Sequence, residues 1–241
     1  MKRAVALNPS NINCRFFLGL LLDYSAESEA AAEHFSMVEN GQALLRARLD
    51  AWRYIQTADK DSRRITGSWM QTFKLGMDAA RKDGLVLEFG VRFGTTIRQI
   101  ATLAEQDVHG FDSFEGLPEA WHHEPKGIYT TKGVIAIVPE NVTLHVGWFE
   151  DALRKFLTAH GAPVRFINID CDIYSSIQTV LNHLAQRIAP GTVIVFDKYI
   201  GNEPWRKDEF KAFHEAVAQN GWGYEYLSFS FSTKHVAVRI T

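Results

Sequence analysis

The chain has 241 residues, with 26 lysines and arginines against 28 aspartates and glutamates, and so carries a formal net charge of -2. This length fits one large domain, or one domain with an appendage. Because phosphate binding needs clustered lysine and arginine, a balanced charge without a basic tract argues against nucleic acid as a partner.

Other features of the sequence lead us to expect a cytoplasmic protein that has no membrane partner. No apolar stretch reaches the roughly 20 residues that a membrane span requires. The N-terminal residues MKRAVALNPSN lack the apolar core and the cleavage site of a secretion signal. Cys14 and Cys171 lie far apart in the sequence and form no metal-ligand pair, which fits a reducing compartment.

A helical N-terminal extension is predicted for residues 1–61, where glycine is rare and the composition and period are helical. Residues 4–35 resemble a tetratricopeptide unit, with an Asn-Pro turn before the first helix and the small-residue helix EAAAEHF after it. A plain helical extension explains the same pattern. Because one helical pair cannot bury its own apolar face, it must pack on the main domain, on a partner subunit of a homo-oligomer, or on further repeats.

Strands and helices alternate through residues 62–241, which we assign to the main domain. Strands are predicted at residues 85–89, 108–112, 142–147, 164–170, 192–197, 224–229 and 235–240, with helices over 64–82, over 207–219 and from a capping-box pattern at Ser175 and Gln178. The alternation predicts an α/β fold with a mostly parallel sheet and helices on both faces. The last two strands have no helix between them, so we expect an antiparallel pair at one edge.

Acidic residues close several of these strands. Ligands of such sheets bind beyond the carboxyl ends of the strands, and the residues at those ends are Glu88, Gly90, Asp112, Gly147, Asp170, Asp172, Asp197 and Lys198. Five carboxylates at one edge repel one another unless cations, hydroxyl donors or a metal ion occupy the site. This edge is therefore the predicted functional site.

The segment LEFGVRFGTTI, residues 87–97, predicts a ligand-binding turn between the first strand and a helix. Gly90 and Gly94 shape the turn, and Thr95 or Thr96 is expected to cap the helix. Free backbone N–H groups and the helix dipole make such a corner suitable for an anion or a nucleotide.

The details of the turn favour one nucleoside ligand. A dinucleotide fingerprint would read G-x-G-x-x-G, whereas Arg92 stands where the middle glycine would be. Glu88 suits a ligand with a cationic amino group, and Asp112, at the end of the second strand, suits the two hydroxyls of a ribose. A ribose with a cationic amino-acid tail describes S-adenosylmethionine.

Five segments then carry a family resemblance. LEFGVRFGTTI, VHGFDSFEGLPEAW, GWFEDAL, INIDCDIYSS and GTVIVFDKY occur in this order, and together they resemble the macrocin O-methyltransferase-like family over residues 62–241. The resemblance implies a Rossmann-like, seven-stranded methyltransferase sheet and S-adenosylmethionine as the methyl donor. It also implies that the donor pocket is lined by Glu88, Gly90, Asp112, Ser113, Gly147 and Trp148.

The resemblance further implies a magnesium ion held by Asp170, Asp197 and an acid that follows Asp197. In that arrangement the metal orients two neighbouring hydroxyls of the acceptor sugar, and an acid near the metal takes the proton. We predict that Asp170 is the catalytic base. Here Lys198 replaces the last acid. Either two carboxylates suffice for Mg²⁺, which often keeps several waters, or the Lys198 ammonium takes the place of the metal and acts in catalysis, or Lys198 forms a plain salt bridge with Asp197.

The sequence thus predicts an O-methyltransferase that acts on a hydroxyl of a sugar, a glycan or another small hydroxylated metabolite, as in natural-product biosynthesis. One alternative is a catalytically silent nucleoside-binding module that serves in assembly through its N-terminal helices. Another is a nicotinamide-dependent oxidoreductase, which the missing middle glycine disfavours. The sequence does not name the acceptor.

Overall fold

A computed structural model describes residues 1–58 and 64–241 and divides into two compact units. The N-terminal unit comprises Met1–Asp61 and Ile200–Trp205, and the sheet unit comprises Ser62–Tyr199 and Arg206–Thr241. The boundary predicted between residues 61 and 62 lies outside the described residues. None of the helices within the described ranges is long and apolar enough to cross a membrane.

The N-terminal unit is helical, as the sequence predicts. Its helices are α1 (Lys2–Leu7), α2 (Ile12–Tyr24), α3 (Ser28–Glu39) and α4 (Ala43–Ala58). The Asn11 side chain caps α2 by accepting a hydrogen bond of 3.0 Å from the backbone N–H of Cys14. A Cβ atom on Gly19 would lie 2.8 Å from the Phe35 ring, so glycine at this position allows α2 and α3 to pack closely.

Residues 200–205 belong to this N-terminal unit, although the sequence analysis assigns them to the main domain. The side chain of Trp205 is only 2% exposed. Its indole N–H donates to Asp50 Oδ2 at 3.0 Å, and its ring centroid lies 5.6 Å from that of Tyr54. A distant segment of the chain therefore completes the packing of α4.

We expect residues 1–61, expressed alone, to unfold with weak cooperativity, because the fragment lacks Trp205 and a short helical array is marginal by itself. Thermal circular dichroism of the fragment checks this. A sharp, monomeric melting transition of the fragment would contradict the expectation.

In the intact chain, Trp205→Phe removes the hydrogen bond to Asp50 and should lower the free energy of unfolding by about 0.5–1.5 kcal/mol.

The sheet unit contains the strands and helices that the alternation predicts. The strands are β1 (Leu85–Phe89), β2 (Val108–Asp112), β3 (Val142–Val146), β4 (Val164–Ile169), β5 (Val193–Phe196), β6 (Tyr224–Phe229) and β7 (Val236–Ile240). The helices are α5 (Trp69–Ala79), α6 (Thr95–Ala104), α7 (Phe149–Ala159), α8 (Tyr174–Leu184) and α9 (Glu209–Asn220).

The strands form one seven-stranded sheet in the order β3-β2-β1-β4-β5-β7-β6. The first five strands of this order, β3, β2, β1, β4 and β5, run parallel to one another, and β7 pairs antiparallel with both β5 and β6. This confirms the predicted fold class and its antiparallel pair at one edge. The strand order reverses between β1 and β4, and ligands of doubly wound sheets bind at such a switch point.

The central strands are buried on both faces, which explains their continuous apolar sequences. Every residue of β1 and of β5 is buried. Stacked rings of Phe89 and Phe111, with centroids 4.8 Å apart, fill the core between β1 and β2. The rigid strands hold the loops that follow them at fixed positions.

Two predicted helix caps are wrong. Helix α6 begins at Thr95 after Gly94, and neither Thr95 nor Thr96 caps it. Helix α8 follows Ile173 without a side-chain cap. Ser175 Oγ instead donates to Glu119 Oε1 at 2.6 Å, because a partner distant in sequence lies within its reach.

Candidate active site

A cavity of about 490 Å³ lies beyond the carboxyl ends of the parallel strands in the sheet unit. Nine predicted site residues line it: Gly90, Asp112, Ser113, Gly147, Trp148, Asp170, Asp172, Asp197 and Lys198. Four others, Glu88, Gly94, Thr95 and Thr96, are not among the lining residues. Clefts of this size suit a small molecule.

Gly90 brings the ends of β1 and β4 together. Its φ of 96° lies in the region that favours glycine, and a Cβ atom there would lie 1.8 Å from the carbonyl oxygen of Asp170. The backbone N–H of Asp170 donates to the carbonyl of Phe89 at 2.8 Å. Only glycine fits this contact, which forms the floor of the cavity.

Asp112 holds the turns after β1 and β2. Its two carboxylate oxygens accept hydrogen bonds of 2.7 Å from the backbone N–H groups of Arg92 and Phe114. A carboxylate offers about four acceptor positions, so each oxygen keeps capacity for a ligand in the cavity. The Arg92 guanidinium lies 5.1 Å from the ring centroids of both Phe93 and Tyr129.

An aromatic wall follows β3. The backbone N–H of Gly147 donates to the carbonyl of Asp112 at 2.9 Å, which places the next residue beside the cavity. That residue is Trp148, with 39% of its surface exposed. An exposed indole in a cavity wall provides a stacking face for a flat ring.

Glu88 lies behind the cavity wall and is fully buried. It faces Asn168 across the pairing of β1 with β4 and accepts a hydrogen bond of 2.8 Å from the Asn168 amide. Burial raises the pKa of Glu88 to about 8, against the opposing effect of hydrogen bonds from Thr96 and Asn168. Glu88 therefore carries a proton in the folded protein at neutral pH.

We expect Glu88→Gln to remove a pH dependence of stability. Between pH 4.5 and about 8 the folded state keeps a proton that unfolded Glu88 releases, so stability falls as pH rises through this window. The slope from one such group is at most about 1.4 kcal/mol per pH unit. Denaturant unfolding at a series of pH values measures it, and the exposed acid variant Asp83→Asn is the control. If Glu88→Gln follows the wild-type curve, Glu88 is ionised when folded.

Lys198 lies among three carboxylates that end β4 and β5. Its Nζ lies 2.5 Å from Asp172 Oδ1, 2.6 Å from Asp197 Oδ2 and 3.4 Å from Asp170 Oδ1. We call Asp170, Asp172 and Asp197 the carboxylate cluster. The ammonium offsets the mutual repulsion that the sequence predicts at this edge.

Burial and neighbouring charges shift the pKa values in opposite directions within the cluster. Burial and the charge of Asp197 raise the pKa of Asp170 well above its ordinary value. Burial opposes ionisation of Asp197 as well, but the charges of Lys198 and His235 outweigh it and lower the pKa of Asp197. For Lys198, burial lowers the pKa, and the three carboxylates more than compensate, so its pKa is raised. The lysine is a permanent cation.

The geometry bears on the magnesium ion that the resemblance implies at Asp170 and Asp197. A metal ion would need the centre between the carboxylates, and the Lys198 ammonium lies there. Within residues 1–58 and 64–241, no group of three or more His, Cys, Asp or Glu side chains is arranged to hold a metal. The residues as placed do not fit Mg²⁺.

The cavity is also lined by residues that the sequence does not single out as site residues. They include Trp69, Arg92, Tyr129, Ser176 and Thr179. Tyr129, for example, comes from a long loop without a motif. No histidine of the described chain lines the cavity.

Comparison with known sequences finds similarity to methyltransferases. Residues 87–199 match a family described as a methyltransferase domain. The chain is also similar to the 8-demethyl-8-(2,3-dimethoxy-α-L-rhamnosyl)-tetracenomycin-C 4'-O-methyltransferase of Streptomyces olivaceus, with 31% identity over 108 residues. That match covers 36% of this chain and 40% of the relative, so the chain spans less than half the length of the curated relative.

Comparison with solved structures supports the same fold. The calicheamicin methyltransferase CalS11 has a TM-score of 0.57 at 19% identity, with 70% of this chain and 76% of that chain covered. The O-methyltransferase NovP has a TM-score of 0.53 at 20% identity, with 71% and 79% covered. These findings confirm the Rossmann-like methyltransferase fold that the sequence motifs indicate.

Proposed function

We propose that this chain, whose residues 87–199 match a methyltransferase domain family, transfers a methyl group from S-adenosylmethionine to a hydroxyl oxygen of a small acceptor. One observation carries the proposal most directly. Three side chains with different properties line a single cavity. Asp112 is a carboxylate that can accept hydrogen bonds from the hydroxyls of a ribose, Trp148 presents an exposed indole, and Asp170 is a carboxyl group with a raised pKa.

The donor is proposed to lie along the ends of β1, β2 and β3. Asp112 keeps free acceptor capacity on both oxygens for the two ribose hydroxyls. Trp148 offers a face on which adenine can stack. Gly90 and Ser113 line the same part of the cavity. Glu88, Gly94, Thr95 and Thr96 are proposed to shape this corner from behind the wall.

The reacting groups are proposed to meet at Asp170. An alcohol is a weak nucleophile until a base takes its proton, and a base works best when its pKa lies near the working pH. Burial and the charge of Asp197 move the pKa of Asp170 in that direction. As the acceptor oxygen bonds to the methyl carbon, the carbon–sulfur bond breaks, its electron pair stays on sulfur, and Asp170 keeps the hydroxyl proton.

The acceptor class is proposed from the relatives. The Streptomyces enzyme acts on a rhamnosyl compound, and a second CalS11 structure, with a TM-score of 0.50, describes a TDP-rhamnose 3'-O-methyltransferase. Both relatives methylate a deoxysugar hydroxyl. We therefore choose TDP-rhamnose and simple rhamnosides as the first acceptors to test, with other hydroxylated metabolites next.

We expect Asp112→Ala to weaken binding of S-adenosylhomocysteine by about tenfold or more, because charge-assisted hydrogen bonds contribute roughly 1.5–3 kcal/mol each. Isothermal calorimetry measures the dissociation constant. Circular dichroism shows whether the variant keeps the overall fold, and Asp78→Ala, an exposed acid on α5, is the matched control. An unchanged dissociation constant for Asp112→Ala contradicts the donor assignment, and binding of NAD instead would favour an oxidoreductase.

We expect Asp170→Asn to lower the methyl-transfer rate by roughly 10²–10⁴-fold, the range of general base catalysis, while S-adenosylhomocysteine affinity stays nearly unchanged. The wild-type rate should rise with pH through the raised pKa of Asp170, because only the ionised carboxylate takes a proton. The rate of the Asp170→Asn variant should lack this rise with pH. Single-turnover transfer of a labelled methyl group to the best rhamnose acceptor measures both the rate and its pH dependence. A fully active variant would place the base elsewhere.

A further inference from the structure

The position of Lys198 leads to an inference that rests on the proposed function and deepens it. We propose that the Lys198 ammonium takes the place of a divalent metal ion, contacts the acceptor hydroxyl, and makes methyl transfer independent of magnesium. The proposal concerns the carboxylate cluster, Asp170, Asp172 and Asp197, and the cavity that these residues line together with Lys198.

Charge balance is the first support. Three carboxylates come from two segments, the ends of β4 and β5, and meet at one point. Without a cation their repulsion would favour protonation or a bound metal ion. The Lys198 side chain, only 23% exposed, brings one positive charge within 3.4 Å of all three. The chain thereby supplies from its own sequence one of the two positive charges that Mg²⁺ would bring.

The unequal distances give Lys198 room to act on a ligand. The Lys198 Nζ donates a hydrogen bond of 2.6 Å to Asp197 Oδ2 and a long one to Asp170 Oδ1, and it also forms an ion pair of 2.5 Å with Asp172 Oδ1. The contact with Asp170 is the longest, at 3.4 Å. A hydroxyl placed between Nζ and Asp170 would accept a hydrogen bond from the ammonium and donate one to the carboxylate. The ammonium would then stabilise negative charge that develops on the oxygen.

A buried carboxylate holds the backbone of Lys198, and a half-buried aromatic ring lies beside its side chain. Its backbone N–H donates to Glu209 Oε2 at 2.8 Å, and Glu209 is 1% exposed at the start of α9. On the side-chain end, the Nζ lies 5.9 Å from the ring centroid of Trp121. A cation held in this way loses little additional freedom when it binds a ligand, which is the condition for electrostatic catalysis.

The geometry separates this role from a plain salt bridge. A structural ion pair needs one carboxylate, for which Asp197, the adjacent residue, would suffice. Lys198 instead contacts acids on two segments and lines the cavity beside Asp170. The surface pair of Lys74 with Asp78, at 2.9 Å and largely exposed, is an example of the plain kind and provides a control.

Magnesium binding tests the proposal without any acceptor. Wild type should give no saturable heat with MgCl₂ in calorimetry and no shift in its melting temperature. Lys198→Asp adds a fourth acid and removes the cation, so it should bind one Mg²⁺ and recover thermal stability when Mg²⁺ is added. Lys198→Met should bind Mg²⁺ more weakly, and it serves as the second variant if Lys198→Asp does not fold. Lys74→Asp should behave as wild type.

Methyl transfer gives the second measurement. Wild-type activity should survive EDTA unchanged, and Lys198→Met should lose about tenfold or more in rate without Mg²⁺, with S-adenosylhomocysteine affinity nearly unchanged. The proposal is overturned if wild type binds Mg²⁺ at one site or loses activity in EDTA and regains it with Mg²⁺. It is also overturned if neither Lys198 variant gains Mg²⁺ binding, or if Lys198→Met keeps the full rate. Failure of the proposed function would appear separately, as absent binding of S-adenosylhomocysteine to wild type.

Discussion

The contact between Gly90 and the Asp170 carbonyl sets the geometry of the site. It joins β1 to β4 at the point where the strand order reverses. Because a Cβ atom at Gly90 would overlap that carbonyl, the two turns can approach only with glycine there. The close approach brings the proposed donor corner after β1 and the carboxylate cluster after β4 onto one cavity floor, so that a donor and an acceptor can meet.

The two ends of the cavity floor differ in the charges and hydrogen-bond donors that surround their carboxylates. At the donor end, Asp112 is held by two backbone N–H groups and keeps free acceptor capacity. At the other end, Lys198 compensates three acids, and burial together with Asp197 raises the pKa of Asp170. Carboxylates in the same cavity thus have different environments and are suited to different tasks. In the proposed reaction one binds the donor and another accepts a proton.

The chain shares the fold of the methyltransferases CalS11 and NovP, and it has Lys198 where the resemblance of its sequence implies an acid. Lys198 thus places a positive charge where the resemblance implies a negative one. The substitution is compatible with the fold because the ammonium meets three acceptors and the backbone N–H of Lys198 meets the buried Glu209. The Lys198 side chain therefore offsets the negative charge at this edge of the sheet.

The sequence by itself determined the order and type of the strands, the parallel sheet with its antiparallel edge, and the strand-end acids that share one rim. These follow from local periodicity and from the rule that parallel strands end at one edge. Tertiary structure alone decided that Glu88 is buried against Asn168, that Ser175 bonds Glu119 instead of capping α8, and that residues 200–205 pack against α4. It also decided that Lys198 reaches three carboxylates. Such contacts depend on ångström-scale distances between segments far apart in the chain, and no local pattern encodes those distances.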